Sequence, residues 1–274
     1  MAPVMEPATT KARGGSGRAR VAVLGGGTVG AQVVSLLQGR PDTEIVGVLV
    51  RDLSKPRSFA RWQELVTTDT DVIDGADVVV EALGGVGEAG DLGLAALRAG
   101  STLVSANKAA LAERWDEFLP HLAAGRVHLE AAVMAGVPVI GSLTGALRGC
   151  APVSVHAVLN GTCNVILSAM EEGADYGDAL ADAQRRGYAE ADPTLDVGGF
   201  DAAHKLSLLA RLAFDPSLGY PEVARNTRGI SGISAALVAE HAERADDEID
   251  VAVGEHLGDH VRVAVDVGSV EDDG

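Results

Sequence analysis

The sequence predicts an α/β protein: a doubly wound parallel sheet followed by a smaller α+β domain. Three observations predict it. Short runs rich in Val and Leu alternate with helical patterns through the first half, an order that demands crossover connections and therefore parallel strands. The first of these runs passes straight into Gly25-Gly26-Gly27-Thr28-Val29-Gly30 and then into a helical pattern. From about residue 138 the alternation gives way to helices with a single intervening strand.

The elements follow in order. Residues 1–18 (MAPVMEPATTKARGGSGR) mix Pro, Gly, Thr and Arg without periodicity and read as a disordered tail. Strand-like runs occupy Arg20 to Gly25, Glu44 to Val50, Asp77 to Leu83 and Ser101 to Ser105. A helix after Asn107 carries Leu111, Trp115, Phe118 and Leu119 at helical spacing as core residues, and a strand from Arg126 to Val133 follows. These make a first domain over residues 19–137. The second, 138–235, begins with a helix at Pro138 to Leu147 and a strand at Val153 to Leu159. Helices at Thr162 to Met170, Asp178 to Arg186 and Phe200 to Phe214 complete it. Beyond it lies a divergent acidic segment, 236–274, with a helix at Ala235 to Ala245, a strand at Val261 to Val267 and the acidic end EDDG. No internal repeat is detected.

Composition narrows the function classes. The chain has 274 residues, 47% of them hydrophobic and only 3% aromatic, so the cores are built from Ala, Val and Leu, which suits α/β packing. A formal net charge of -17 repels nucleic-acid phosphates and favours small-molecule partners. No apolar run approaches the roughly 18 residues that span a bilayer, which predicts no membrane partner and a cytoplasmic location. Cys150 and Cys163 lack the spacing of a zinc site or a disulfide framework and read as structural thiols.

The glycine turn carries the first chemistry. Strand, G-x-G-x-x-G and helix in that order are the context in which this motif binds a dinucleotide in a Rossmann-type domain. Gly25 permits the tight turn, Gly27 lets the backbone approach a pyrophosphate, and Gly30 allows close packing of the helix. Thr28 and Val29 open that helix, whose N-terminal N–H groups attract phosphate. At the end of the second strand, where NAD sites carry an acid, the chain reads Val50-Arg51-Asp52-Leu53-Ser54-Lys55. Arg51, with Lys55 or Arg57, favours the 2'-phosphate of NADP; Asp52 offers the alternative of a ribose hydroxyl and NAD.

The second chemistry lies in Gly187 to Lys205. Asp201 and Lys205 are four apart and share a helix face, and Glu190 and Asp192 precede them on a loop. Spacing alone allows an exposed ion pair, worth about a few tenths of a kcal/mol. The functional reading is a catalytic site of acids and a base around a loop-to-helix junction.

With these stretches in hand the chain resembles the homoserine dehydrogenase family. Four motifs carry the likeness in the family's order: GGGTVG (25–30), SANKAALA (105–112), EAAVMAGVPVI (130–140) with LNGTCNVIL (159–167), and GYAEADPTLDVGGFDAAHK (187–205). Ala135-Gly136 stand where the family usually has Gly-Gly, and Val165 where it has an aromatic. The resemblance implies NAD(P)-dependent interconversion of L-homoserine and L-aspartate 4-semialdehyde, on the way to threonine and methionine, by a homodimer formed through the smaller substrate and dimerisation domain. It implies Lys205 as proton donor, Glu190 and Asp196 as substrate ligands, and Asp201 as the residue orienting substrate or Lys205. Lys108 would contact cofactor and substrate, and Gly84 and Ser105 join Gly25, Gly27, Thr28, Val29, Gly30 and Arg51 around the cofactor. Family members also bind a monovalent cation such as Na+ through the segment matching Glu130, Val133, Ala135 and Val137, mostly by backbone carbonyls. Past about Leu218 the family motifs fade, and no regulatory domain with threonine feedback is expected. Two other readings stand beside this one: a related dehydrogenase for another amino-acid semialdehyde, and an inactive NADP-binding relative.

Overall fold

The computed structural model describes residues 17–152 and 155–242, which fall into two compact units dividing after Arg148. The first unit is built on a six-stranded, all-parallel sheet. Its strands are β1 (Ala19–Leu24), β2 (Thr43–Leu49), β3 (Val66–Thr67), β4 (Val78–Glu81), β5 (Thr102–Ser105) and β6 (Val127–His128). They lie in the order β3-β2-β1-β4-β5-β6. This is the doubly wound order, which reverses direction between β1 and β4 and opens a crevice beyond the carboxyl ends of those strands.

Residue chemistry explains the placement. β1 buries Val21, Ala22, Val23 and Leu24 with almost no exposure, as a strand covered on both faces must. Its register pairs Leu24 with Leu49 on one side and with Glu81 on the other. Helix α1 (Thr28–Gln38) seats Ala31 and Val34 against Val21, Val23, Val48 and Phe59. A short helix α2 (Trp62–Leu65) precedes β3, and α3 (Glu88–Arg98) connects β4 to β5. The edge strand β3 has only two residues, too few for an alternating pattern to mark it in the sequence.

The helix expected after Asn107 is two helices, α4 (Lys108–Glu113) and α5 (Trp115–Ala123), broken at Arg114. Arg114 donates to the Val86 and Gly87 carbonyls and pairs with Asp91 and Glu117. Leu111, Trp115 and Phe118 are buried as expected, and Leu119 is half-buried. The strand expected over residues 126–133 stops at His128, because Glu130–Ala132 turns into a 3-10 helix. Both oxygens of the Glu130 carboxylate then accept backbone N–H groups at the start of α6 (Val139–Thr144), from Ile140 and Gly141 at 2.8 Å each. That cap ties α6 to the first compact unit, which runs to Arg148. The helix itself ends at Thr144 before Gly145, short of the expected Leu147.

The second unit is helical among its described residues: α7 (Gly161–Glu171), α8 (Tyr176–Arg185), α9 (Thr194–Val197), α10 (Phe200–Ala213), α11 (Tyr220–Arg225) and α12 (Ala235–Ala242). The strand expected over Val153 to Leu159 is not formed by its described residues, 155–159. A strand needs a hydrogen-bonded neighbour, and no described residue of this unit is in one. The core gathers Ile166, Leu167 and Met170 of α7 with Ala179, Ala183, Val197 and Ile230. Helix α10 is buried on nearly all sides, including His204, whose ring stacks on Tyr220 at 4.1 Å. Its entry needs glycine: Gly199 has φ 81, and a Cβ there would lie 2.6 Å from Thr227 Cγ2.

The expected tail lies outside the described residues except for Gly17 and Arg18. So do the last three residues of the helix expected over 235–245, the strand at Val261 to Val267 and the acidic end. No helix among the described residues is long and apolar enough to cross a membrane.

Candidate functional site: a dinucleotide cradle and a lysine–carboxylate cluster

The crevice of the first unit is a cleft of about 350 Å³ lined by Val50 and Arg51 after β2, by Thr68 and Thr70, and by Leu83, Gly84, Gly85 and Gly87 after β4. The glycine turn stands at the same edge of the sheet. Gly25 has φ 104, and a Cβ there would lie 2.7 Å from the Ala82 carbonyl oxygen; at Gly30 it would lie 1.9 Å from that of Gly25. Both glycines are required by the fold itself. Gly27 is different, because a Cβ there would meet no protein atom within 4 Å. Gly27 is also the N-cap of α1 and provides no side-chain cap, so the first N–H groups of α1, around exposed Thr28 and Val29, face outward. Open space, bare helix N–H groups and small residues fit a pyrophosphate.

The basic residues after β2 divide by role. Arg57 donates to the carbonyls of Gly26 at 3.0 Å and Asp52 at 3.1 Å, clamping the glycine turn to the loop after β2. Asp52 folds back to accept from the Ser54 amide and hydroxyl, which hold its carboxyl below the usual carboxylate range. Arg51 and Lys55 stay exposed, and Arg51 lines the cleft.

The loops after β4 and β5 are tied together by a residue that sequence reasoning missed. Glu81 is 2% exposed at the end of β4. Its Oε1 accepts from the Leu83 and Gly84 amides at 2.9 and 3.2 Å, and its Oε2 accepts from the Ser105 hydroxyl at 2.7 Å. Ser105 Oγ accepts in turn from the Asn107 amide, and Asn107 caps α4, in which Lys108 is the first residue. The available signal was an acid ending a Val-Val-Val run just before Leu-Gly-Gly, a buried strand end where a carboxylate needs partners.

In the second unit the structure decides the meaning of the Asp201–Lys205 spacing. Their side chains are only 11% and 18% exposed, and Lys205 Nζ donates to Asp201 Oδ2 at 2.7 Å and to the Leu159 carbonyl at 2.6 Å. Asn160 joins the same cluster. Its Nδ2 donates to Asp196 Oδ1 at 2.7 Å and to Asp201 Oδ2 at 3.0 Å, while its Oδ1 caps α7 at the Cys163 amide. One amide thus holds two carboxylates that would otherwise repel. Asn160 was legible only as an N-cap before a helical run. Cys163 sits beneath; burial above all, with Asp196 and Asp201 nearby, pushes its thiol up to about 12, which suits the structural role expected of it. Glu190 is exposed on the preceding loop, where its backbone carbonyl accepts from Gln184. Asp192 caps the turn into α9 through the Thr194 hydroxyl and amide, which lower its pKa.

Comparison with known proteins gives the family. The model of the homoserine dehydrogenase NAD-binding domain matches residues 25–132, and that of the homoserine dehydrogenase domain matches residues 138–273. The chain belongs to the homoserine dehydrogenase family. A homoserine dehydrogenase of Corynebacterium glutamicum is 41% identical over 260 residues, covering 89% of this chain and 58% of its own length. A homoserine dehydrogenase structure from Thiobacillus denitrificans superposes with a TM-score of 0.73 at 35% identity, covering 83% of this chain and 56% of that one. A hyperthermophilic archaeal homoserine dehydrogenase solved in complex with NADPH gives a TM-score of 0.60 at 26% identity, covering 77% of each chain. The chain spans about half the length of the curated relatives it matches. The second domain match reaches residue 273, so the family's pattern continues past Leu218, where its motifs were expected to fade.

Proposed function

We propose that this chain carries the cofactor-binding and proton-donating parts of an NAD(P)-dependent dehydrogenase that interconverts L-homoserine and L-aspartate 4-semialdehyde. The observation that carries it is the Lys205 ammonium, fixed by Asp201 and the Leu159 carbonyl in a family member whose first unit offers a dinucleotide cradle. An ammonium has three N–H donors. Two are engaged here, which leaves one for a substrate oxygen. When bound, the nicotinamide cofactor supplies or accepts the hydride. As negative charge develops on the aldehyde oxygen, Lys205 stabilises it and gives it a proton; in the reverse direction it takes the hydroxyl proton. Asp201 holds Lys205 in one rotamer. Glu190 and Asp196 supply negative charge for the substrate ammonium, and Lys108 contacts cofactor and substrate.

Gly25, Gly27, Thr28, Val29, Gly30, Gly84 and Ser105 would hold the cofactor. We favour NADP over NAD because exposed Arg51 lines the cleft while Asp52 is engaged by Ser54. A monovalent cation such as Na+ would be held in the turn carrying Glu130, Val133, Ala135 and Val137, a reading that rests on the family resemblance. The working form in this reading is a cytoplasmic homodimer serving threonine and methionine formation, an assignment supported by the family.

The test follows NADPH absorbance with aspartate semialdehyde for wild type and Lys205→Ala, with calorimetry of NADPH and NADH binding. Turnover is expected to fall by about 10²- to 10⁴-fold in the variant, the usual worth of a positioned proton donor, with NADPH binding retained and tighter than NADH. A folded, NADPH-binding wild type that does not turn over the semialdehyde refutes the assignment. Turnover of a different semialdehyde alone reassigns the substrate.

A further inference from the structure

We propose that Glu81 is a positioning residue, whose buried carboxylate sets the affinity for the dinucleotide by locking together the loop after β4 and the turn that leads to Lys108. The inference rests on the dinucleotide-binding reading above. Its basis is geometric. Glu81 and Ser105 are register partners at the carboxyl ends of adjacent parallel strands, the edge at which such sheets bind ligands. One carboxylate oxygen takes the Leu83 and Gly84 amides, and the other takes the Ser105 hydroxyl. Asn107 closes the circuit by donating to the Gly85 carbonyl at 2.7 Å, and the Ala106 amide donates to the Glu81 carbonyl at 3.0 Å.

The loop so held is poor at holding itself. Gly84 and Gly85 have φ of 77 and 87, and a Cβ on either would meet nothing within 4 Å. Backbone with that freedom samples many conformations unless something restrains it. These same residues line the cleft. Hydrogen bonds to an ionised acceptor are the stronger kind, and a site is only as exact as the groups that support it.

Glu81→Gln tests this with almost no change of shape. With the Gln oxygen kept toward the Leu83 and Gly84 amides, the new NH2 meets the Ser105 hydroxyl, which must turn to accept it, so every tie becomes a neutral bond, weaker than one to a charged acceptor. The control is Asp77→Asn. Asp77 is also buried, at 4% exposure, but it lies before β4, at the opposite edge of the sheet, where it accepts from the Arg20 amide. NADPH binding and thermal midpoints would be measured for all three proteins. Wild type must bind NADPH, and failure there sinks the dinucleotide reading rather than this one. The expected result is a loss of NADPH affinity of about tenfold in Glu81→Gln, with Asp77→Asn binding as wild type does despite a lower midpoint. Unchanged affinity in Glu81→Gln, or equal losses in both variants, overturns the proposal. Should Glu81→Gln fail to fold, Glu81→Asp keeps the charge but draws the carboxylate back by one methylene from both loops; a loss of about threefold is expected, and wild-type affinity overturns the proposal.

Discussion

Replacing Asn160 by Asp should damage the second unit more than replacing it by Ala, although Asp is the closer match in shape. Asn160 does two jobs: its Oδ1 caps α7, and its Nδ2 donates to Asp196 at 2.7 Å and to Asp201 at 3.0 Å. Ala removes the cap, worth about 1 kcal/mol, and both donated bonds, worth about 1.5–3 kcal/mol each when the acceptor is charged. Partial exposure of both carboxylates to water trims the sum, so about 3 kcal/mol is expected. Asp keeps the cap but presents an oxygen to two carboxylates already within contact. Unit charges 4 Å apart repel by about 4 kcal/mol in a partly screened setting, and allowing for water access the net loss for Asp is about 4–5 kcal/mol. Against a typical stability of about 5–15 kcal/mol this is severe. Both tryptophans, Trp62 and Trp115, lie in the first unit. Urea unfolding followed by far-ultraviolet circular dichroism should therefore lose an early, helical phase while tryptophan emission keeps its midpoint. An Asn160→Asp protein as stable as wild type, or more stable than Asn160→Ala, would falsify the bridging role.

The glycine turn predicts two opposite phenotypes for one chemical change. Gly30→Ala should lower the thermal midpoint sharply, because its methyl would lie 1.9 Å from the Gly25 carbonyl oxygen; Gly27→Ala should leave the midpoint near wild type yet weaken NADPH binding by an order of magnitude, since its methyl enters only the space meant for ligand. Calorimetry on both variants checks the contrast, and a Gly27→Ala protein that binds normally contradicts the placement of the pyrophosphate. Cys163 gives an alkaline signature: its thiol is raised from 9.0 to about 12 in the folded state, chiefly by burial. The unfolded chain ionises first, so this contribution is intact below pH 9 and is lost as pH rises toward 12. Cys163→Ala should flatten that part of the stability profile, and a native chain should yield only exposed Cys150 to a thiol reagent at neutral pH; rapid labelling of both would contradict the buried assignment.

Much of this protein was settled by local order along the chain. Alternation of Val-rich runs with helical patterns is enough to demand parallel strands, and a glycine turn directly after the first strand marks a candidate dinucleotide site, because strand, turn and helix are neighbours in sequence. Helix α10 was legible from its apolar spacing, and the candidate lysine and acids from the motif that leads into it. Other features depend on what packs against what. Asp201 and Lys205 are four apart whether exposed or buried, and only the folded environment, with Leu159 and Asn160 closing over them, turns a marginal surface pair into a fixed ammonium. Glu81 meets Ser105 across 24 residues of chain, and Arg57 reaches Gly26 across 31, so neither role has a local signature. The same limit explains the elements that were misjudged. Residues 155–159 carry strand-forming side chains, but a strand exists only where a neighbour accepts its hydrogen bonds, and a carboxylate at Glu130 ends β6 early by capping a helix ten residues on. Periodicity reports which faces are apolar; partners distant in sequence, brought together by the sheet and the helix packing, decide which polar groups become a site.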